Sequence, residues 1–272
     1  MPELPEVETT RRGIEPHTVD QKILRVDIRE SRLRWPISPE LTIKLQGQHI
    51  LSVTRRAKYL LFNLSNGNFM LHLGMSGSLR IVDPSTPLIK HDHVDLALDN
   101  NRILRYNDPR RFGSLLWLGD GDPMQHSLLA KLGPEPLLND FDGSYLFRRS
   151  RKRTMAVKNF IMDGHIVVGV GNIYASEALF MSGIRPGRAA GRVTSSEYQL
   201  LAQKIKEVLQ ASIAMGGSTL RDFVGGDGKP GYFQQTLRVY GRQGQMCHTC
   251  STAIKQKTIG QRSTFYCPAC QR

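Results

Sequence analysis

The sequence predicts an α+β, multidomain chain: a strand-rich N-terminal part, a helical middle and a cysteine-held tail. Three observations carry this. Up to about residue 130 the apolar residues alternate with polar ones. After Leu132-Gly133-Pro134-Glu135-Pro136 they recur at helical spacing. All four cysteines, Cys247, Cys250, Cys267 and Cys270, stand at the end. The 272 residues, 40% hydrophobic, suffice for one large core, or for two cores and a small appendage.

A short helix is expected near Glu6 to Ile14. Leu24, Val26 and Ile28 alternate with Arg25, Asp27 and Arg29, the pattern of a half-buried strand. Tyr59 to Leu64 and Phe69 to Leu73 flank Ser65-Asn66-Gly67-Asn68, a hairpin signal. Val94, Leu96 and Leu98 alternate too, and Asn100-Asn101 turns the chain into Ile103 to Tyr106. These strands fit a β-sandwich or barrel. Farther on, Asn172 is expected to cap a helix through Met181. Thr194-Ser195-Ser196-Glu197 forms a capping box ahead of Leu200, Leu201, Ile205, Val208, Leu209 and Ile213. Gly216-Gly217 stops that helix. Gly169-Val170-Gly171 lacks the third glycine of a dinucleotide fingerprint, because position 174 is Tyr, and there is no phosphate-binding P-loop. This turn is better suited to present helix N-terminal amides to a DNA phosphate.

Charge and composition narrow the function. Thirty-seven Lys and Arg against 24 Asp and Glu leave a net +13 and a pI near 9.9, which points to a polyanionic partner. Phe147 to Lys158 carries Arg148, Arg149, Arg151, Lys152, Arg153 and Lys158 with no acid, and Arg238 to Arg272 is acid-free as well. No apolar run approaches a membrane span, and the acidic and basic residues among the first twenty suit no secretory signal. Secreted and membrane classes are excluded, and a soluble, cytoplasmic, nucleoid-associated protein is expected.

The cysteines are spaced C-x2-C-x16-C-x2-C. In a reducing compartment this is the donor set of one tetrahedral Zn²⁺, with no position left for water. Such a zinc is structural, and it organises a tail too short to fold alone. His248 lies inside the first knuckle, but the four-thiolate set is complete without it. The glycine-rich stretch from Gly216 to Tyr232 reads as a linker or a lid; Thr219, Leu220, Phe223, Tyr232 and Phe233 punctuate it and favour a packed loop.

At the N-terminus, removal of Met1 would leave Pro2 as a secondary amine able to attack an aldehyde-like carbon and form an iminium. Glu3 and Glu6 stand close by to move protons. Taken alone, this segment also reads as a Pro-rich helix start.

Met1-Pro2-Glu3-Leu4-Pro5-Glu6-Val7-Glu8, His72-Leu73-Gly74-Met75-Ser76-Gly77, Asn107-Asp108-Pro109-Arg110-Arg111-Phe112-Gly113, Val170-Gly171-Asn172-Ile173-Tyr174-Ala175-Ser176-Glu177 and the four-cysteine tail together resemble the bacterial formamidopyrimidine-DNA glycosylases, in order and over the whole chain. The resemblance implies a DNA base-excision repair enzyme in three parts. Residues 1–132 are the N-terminal β-sandwich catalytic domain with flanking helices. Residues 133–236 are a helical domain with a helix–two-turn–helix motif and a lesion lid at 216–232, and residues 237–272 are a zinc finger. The implied activities are DNA-formamidopyrimidine glycosylase and DNA-(apurinic or apyrimidinic site) lyase. Oxidised purines (8-oxoguanine and formamidopyrimidines) are removed, and the strand is cut by β,δ-elimination. The implied partner is double-stranded DNA holding oxidised purines or abasic sites, bound by a monomer.

By matching position, the resemblance makes Pro2 the nucleophile and Glu3 the general acid, supported by Glu6. Lys58 becomes the proton donor in β-elimination and Arg262 the finger arginine of δ-elimination. His72, His91, Arg110, Arg153, Lys158 and Asn172 become DNA contacts, with the register inside Arg148 to Arg153 open. Met75, Arg110 and Phe112 fill the gap left by the flipped base, and Thr219, Phe223 and Tyr232 belong to the lid. These roles make physical sense: an enzyme acting on C1′ must extrude the nucleotide, and apolar wedges offset the unstacking. Arg110 offers paired donors to the orphaned base. Ser251 departs from the family, which commonly has glycine after the first knuckle; a local turn adjustment is expected there, with the finger kept. Leu4 differs from the Pro-Glu-Gly-Pro start of the related endonuclease VIII group and favours oxidised purines over oxidised pyrimidines. A pyrimidine-specific enzyme and a non-catalytic zinc DNA-binding protein are the alternatives.

Overall fold

The computed structural model describes residues 2–217 and 233–272. The lid residues Thr219, Leu220, Phe223 and Tyr232 lie outside the described residues. Those described fall into two compact units, 2–130 with 215–217, and 131–214 with 233–272.

The first unit opens with α1 (Leu4–Thr18) and β1 (Ile23–Ile28), followed by a one-turn α2 (Leu41–Leu45). Seven more strands follow: β2 (Ile50–Arg56), β3 (Tyr59–Leu64), β4 (Asn68–His72), β5 (Ser78–Val82), β6 (Asp92–Leu98), β7 (Ile103–Asn107) and β8 (Ser114–Gly119). They form two antiparallel four-stranded sheets, ordered β1-β6-β7-β5 and β2-β3-β4-β8. Ile23, Val26, Val94, Leu96, Leu104 and Tyr106 of one sheet share a core with Val53, Leu60, Phe62, Phe69 and Leu115 of the other, the arrangement of a β-sandwich. Val7 and Ile14 of α1 join the same core.

The β3–β4 hairpin forms where the turn residues placed it. Gly67 has φ +88°, and a Cβ there would stand 2.6 Å from the Trp117 indole, so only glycine fits. Phe62 and Phe69 are paired across the hairpin with rings stacked at 4.3 Å. Asn101, at φ 60°, makes the β6–β7 turn. Helix α1 extends beyond the expected Glu6 to Ile14 at both ends.

The second unit holds α3 (Gly143–Ser150), α4 (Val157–Met162), α5 (Asn172–Met181), α6 (Ser195–Ala214) and the β9–β10 hairpin (Lys255–Ile259, Arg262–Tyr266). The α6 capping box is present: Thr194 N–H donates to Glu197 Oε2 at 2.8 Å, and Glu197 N–H to Thr194 Oγ1 at 3.3 Å. The buried face of α6 is Tyr198, Leu201, Ala202, Ile205, Val208, Leu209 and Ser212, whereas Leu200 is exposed. Tyr198 and Ser212 reach the interior because their hydroxyls are paired, to the Ala190 carbonyl and the Tyr174 hydroxyl. Among the described residues no helix is long and apolar enough to cross a membrane.

One expected cap is displaced. Gly171, in extended conformation, is the N-cap of α5, and Asn172 is its first helical residue. The Asn172 amide is engaged elsewhere, as described next.

Candidate active site and nucleic-acid contacts

In the first unit, Pro2, Glu3 and Glu6 are buried at the start of α1, with Glu3 3% and Glu6 2% exposed. Pro5 sits in the first turn, where a missing N–H costs nothing. Glu3 N–H donates to Glu6 Oε2 at 2.9 Å, which fixes the backbone next to Pro2. Gly217, at φ +84°, lies over Glu6 so closely that a Cβ would be 3.3 Å from Oε1. Two acids and the near-terminal proline are thus held together by helix-start geometry.

Lys58 is half-buried in the tight β2–β3 turn, where Ala57 has φ 55°. His72 ends β4, half-buried. Burial first, then the positive charges of Lys58 and Arg34, push its imidazole down to about 4. Gly74 N–H donates to His72 Nδ1 at 3.0 Å, so the neutral ring carries its proton on Nε2. Such a ring is a hydrogen-bond donor at neutral pH and adds no charge.

Met75 and Phe112 are large apolar residues, 36% and 42% exposed, on two neighbouring loops. Arg110 is exposed, and its guanidinium lies 4.9 Å from the Phe112 ring centre. His91 takes a left-handed φ of 73°, and its carbonyl accepts from the Asp108 amide. Asp108, fully buried, joins these loops.

In the second unit, the basic run resolves residue by residue. Arg151 is spent on the fold: it donates to the carbonyls of Phe147, Gly191 and Val193 and stacks on the Phe147 ring. Arg148, Arg149, Lys152 and Arg153 are exposed. Lys158 is completely buried, and its ammonium donates to Asn172 Oδ1, to Thr264 Oγ1 at 2.6 Å and to the Ser263 carbonyl at 3.2 Å. Asn172 Nδ2 also donates to the Ser263 carbonyl at 3.0 Å. Lys158, the N-terminus of α5 and strand β10 are therefore one polar cluster, which explains why Asn172 does not cap. Arg262 is exposed where β10 begins.

Two buried acids that hold these elements, Asp108 and Glu177, lie inside motifs noted in the sequence without a role assigned to them. Glu177 of α5 accepts the N–H groups of Arg238, Val239 and Tyr240 at 2.8, 2.9 and 2.9 Å. Burial pushes its carboxyl up, and the three amides oppose that shift only in part. No periodicity marks either acid; the sign available was an acid embedded in an otherwise apolar or turn-forming motif.

The four cysteine sulfurs lie within 4.8 Å of one another. A tetrahedron with Zn–S of about 2.3 Å has edges of about 3.8 Å. The Cys247–Cys270 and Cys250–Cys267 sulfurs are 3.9 and 3.4 Å apart, so the donors fit one zinc with no further coordination position. Amide N–H groups of Thr249 and Cys270 point at cysteine sulfurs, the outer support of a thiolate site. Ser251 takes the left-handed φ of 57° itself, and its N–H reaches the Cys247 carbonyl at 2.9 Å. The turn is kept, and the strain rests on the serine.

Comparison with known proteins agrees along the whole chain. Residues 1–115 match the formamidopyrimidine-DNA glycosylase N-terminal domain and residues 132–224 its H2TH domain; residues 244–272 match the zinc finger found in FPG and IleRS. The formamidopyrimidine-DNA glycosylases of Hahella chejuensis and Thioalkalivibrio sulfidiphilus are each 61% identical over 272 residues, covering 100% of both chains. Among solved structures, the Lactococcus lactis enzyme (mutant G226P) in complex with DNA containing Fapy-dG matches with a TM-score of 0.93 at 34% identity, covering 100% of both chains. The same bacterium's enzyme bound to abasic-site DNA matches at 0.92 over 99% of each chain, and its complex with oxidised-pyrimidine DNA at 0.92 over 100%. Fold, zinc ligands and length thus all converge, and the chain belongs to the formamidopyrimidine-DNA glycosylase family.

Proposed function

We propose that Pro2 is the nucleophile with which this DNA glycosylase and AP lyase removes oxidised purines. The observation that carries the reading is the buried Pro2-Glu3-Glu6 start of α1, with the Glu3 amide fixed by the Glu6 carboxylate. After loss of Met1, the Pro2 nitrogen attacks C1′ of the lesion nucleotide and the damaged base leaves. Glu3 supplies the proton and Glu6 keeps Glu3 in place. The Pro2 nitrogen gives up its own proton, and the C1′–O4′ bond opens with O4′ taking the proton from Glu3. The iminium so formed acidifies C2′ for β-elimination, with Lys58 as proton donor to the departing group; Arg262 assists δ-elimination.

The DNA contacts divide by chemistry. His72, through Nε2–H, together with His91, Arg153, Lys158 and Asn172, positions the backbone and carries no sequence information. Lys158 and Asn172 meet at the start of α5, where helix amides favour a phosphate. Met75, Arg110 and Phe112 replace the extruded base, and Thr219, Phe223 and Tyr232 cover it. The assignments of residues 1–132 to catalysis, 133–236 to the helical part and 237–272 to the finger belong to the same reading. So do action as a monomer and residence in the cytoplasm at the nucleoid. The finger's zinc is structural: its four thiolates leave no place for substrate.

An N-terminal tag that cannot be removed turns the Pro2 amine into an amide, whose delocalised lone pair cannot attack C1′. The tagged chain should bind 8-oxoguanine duplex yet give neither cleavage nor a borohydride-trapped complex. Normal turnover by the tagged chain, or a trapped adduct that maps to Lys58, would refute the assignment. The L. lactis complex with oxidised-pyrimidine DNA supports a second reading in which pyrimidine lesions are also substrates. Cleavage of 8-oxoguanine and thymine-glycol duplexes side by side separates the two.

A further inference from the structure

We infer that Asp108 is a positioning residue for base extrusion: its single carboxylate locks the Met75 loop and the Arg110–Phe112 loop into one preformed wedge. The inference rests on the reading of Met75, Arg110 and Phe112 as the residues that replace the flipped base. Asp108 follows the last residue of β7 and is completely buried. Oδ1 accepts the Ser76 hydroxyl at 3.0 Å and the Arg110 amide at 3.3 Å, and that amide also reaches Ser76 Oγ at 3.3 Å. Oδ2 accepts the Gly113 amide at 2.9 Å and the Tyr106 hydroxyl at 3.0 Å. Burial, then the Asp108 charge, holds the Tyr106 hydroxyl far above its ordinary range, so it stays a donor. The four donors match the accepting capacity of a carboxylate. The main chain of Asp108 is tied as well, with N–H donating to the His91 carbonyl at 3.1 Å and C=O paired with His93 Nε2 at 2.8 Å.

Each wedge side chain is one residue from an atom that Asp108 or its partner fixes: Met75 precedes Ser76, and Phe112 precedes Gly113. The two loops also touch backbone to backbone. A Cβ on Gly74 would stand 2.5 Å from Gly113 N, and one on Gly113 would stand 1.9 Å from the Tyr106 hydroxyl. Ordering such loops only when the duplex is entered would take binding energy away from unstacking the base. A preformed wedge avoids that loss.

Asp108→Asn keeps the volume but turns one oxygen into an NH₂ group. Whichever way the amide faces, its NH₂ opposes a main-chain N–H, that of Arg110 or of Gly113. Neither can turn to accept as the Ser76 and Tyr106 hydroxyls can, so one tie to the Arg110–Phe112 loop is lost. The test uses the full chain with its native N-terminus on an 8-oxoguanine:C duplex that carries 2-aminopurine beside the lesion, read by stopped-flow fluorescence and by single-turnover excision. A duplex with a ready-made abasic site, where no base needs unstacking, is cleaved in parallel. Asp108→Asn should slow extrusion and 8-oxoguanine excision roughly 10–100-fold, the equivalent of about one hydrogen bond to a charged group. Abasic-site cleavage and affinity for undamaged duplex should change by less than about 3-fold, because neither depends on unstacking a base. A role confined to stability would depress all four readouts together. Ser76→Ala, which removes one tie and leaves the core packing, should act in the same direction and add little in the Asp108→Asn background. It decides the matter if the Asn variant does not fold. Wild-type extrusion in Ser76→Ala and Asp108→Asn, or equal loss on abasic DNA, overturns the inference. Met75→Ala and Phe112→Ala run alongside. If they slow extrusion while the Asp108 and Ser76 variants do not, Asp108 alone is misassigned; if they too extrude normally, the wedge reading falls with it.

Discussion

Glu177 offers a quantitative test of how the finger is joined to the helices. Its two oxygens take three main-chain donors, Oε1 from Val239 and Tyr240 and Oε2 from Arg238. In Glu177→Gln the amide oxygen can keep the two-donor side, and the NH₂ then opposes the Arg238 N–H. One unmade buried hydrogen bond costs about 1–3 kcal/mol. The raised carboxyl pKa shows that burial of the charge is itself unfavourable, and neutralisation recovers part of that cost. The expected loss is therefore about 1–2 kcal/mol. Glu177→Ala orphans all three amides and opens a void, about 4 kcal/mol in total. The assay is the rate at which zinc passes to a chromophoric chelator, where each 1.4 kcal/mol of weakened local structure is about tenfold in rate. Both tryptophans, Trp35 and Trp117, lie in the first unit, so their fluorescence checks that this unit stays folded. The order should be Ala, Gln, wild type, from fastest release to slowest. Equal rates for the two variants, or an unchanged rate for Ala, would show that the three amides do not depend on this carboxylate.

Three further outcomes are expected. The folded-state pKa of His72 lies below its ordinary value, so the folded form binds fewer protons between about pH 4 and pH 6.5. Its contribution to stability is complete above that window and is lost as pH falls through it; His72→Gln should flatten the slope in denaturation experiments, and an unaltered slope would contradict the assignment. Ser251→Gly, at the left-handed φ of 57°, should stabilise the finger by about 0.5–1 kcal/mol, seen as slower zinc release. Arg153→Ala, at an exposed residue of the basic run, should weaken lesion and undamaged duplex about equally and lower the salt slope by roughly one unit, whereas Arg110→Ala should mainly reduce lesion discrimination. Matching profiles for those two variants would contradict the division between backbone and base contacts.

Much of the fold was legible because its signals are local. Ser65-Asn66-Gly67-Asn68 and Asn100-Asn101 mark turns whose backbone only a few residue types accept, and Thr194 to Glu197 caps α6 within four consecutive residues. The strands that went unrecognised, β2, β5 and β8 of the first unit and β9 and β10 of the finger hairpin, are all paired on one side only. An edge strand is paired on one side only and tolerates Ser, Thr and Arg among its apolar residues, which blurs its period. Helices α2, α3 and α4, of five, eight and six residues, are too short to display a helical repeat. The zinc donors were evident from spacing alone. Asp108 and Glu177 were not: Glu177 answers amides about sixty residues away. Only the folded chain brings those donors to it.

The sharing of one unit by residues 131–214 and 233–272 has a consequence during synthesis. Residues 2–130 carry almost everything their own unit needs and can fold as soon as they have left the ribosome. The helices that follow cannot complete their interior at that stage. The Lys158 ammonium waits for Ser263 and Thr264, and the Glu177 carboxylate waits for residues 238–240. A message cut short before Cys247 therefore would not yield an enzyme that merely lacks its finger. It would leave a buried ammonium without two of its acceptors and a helical unit that proteases recognise as unfinished.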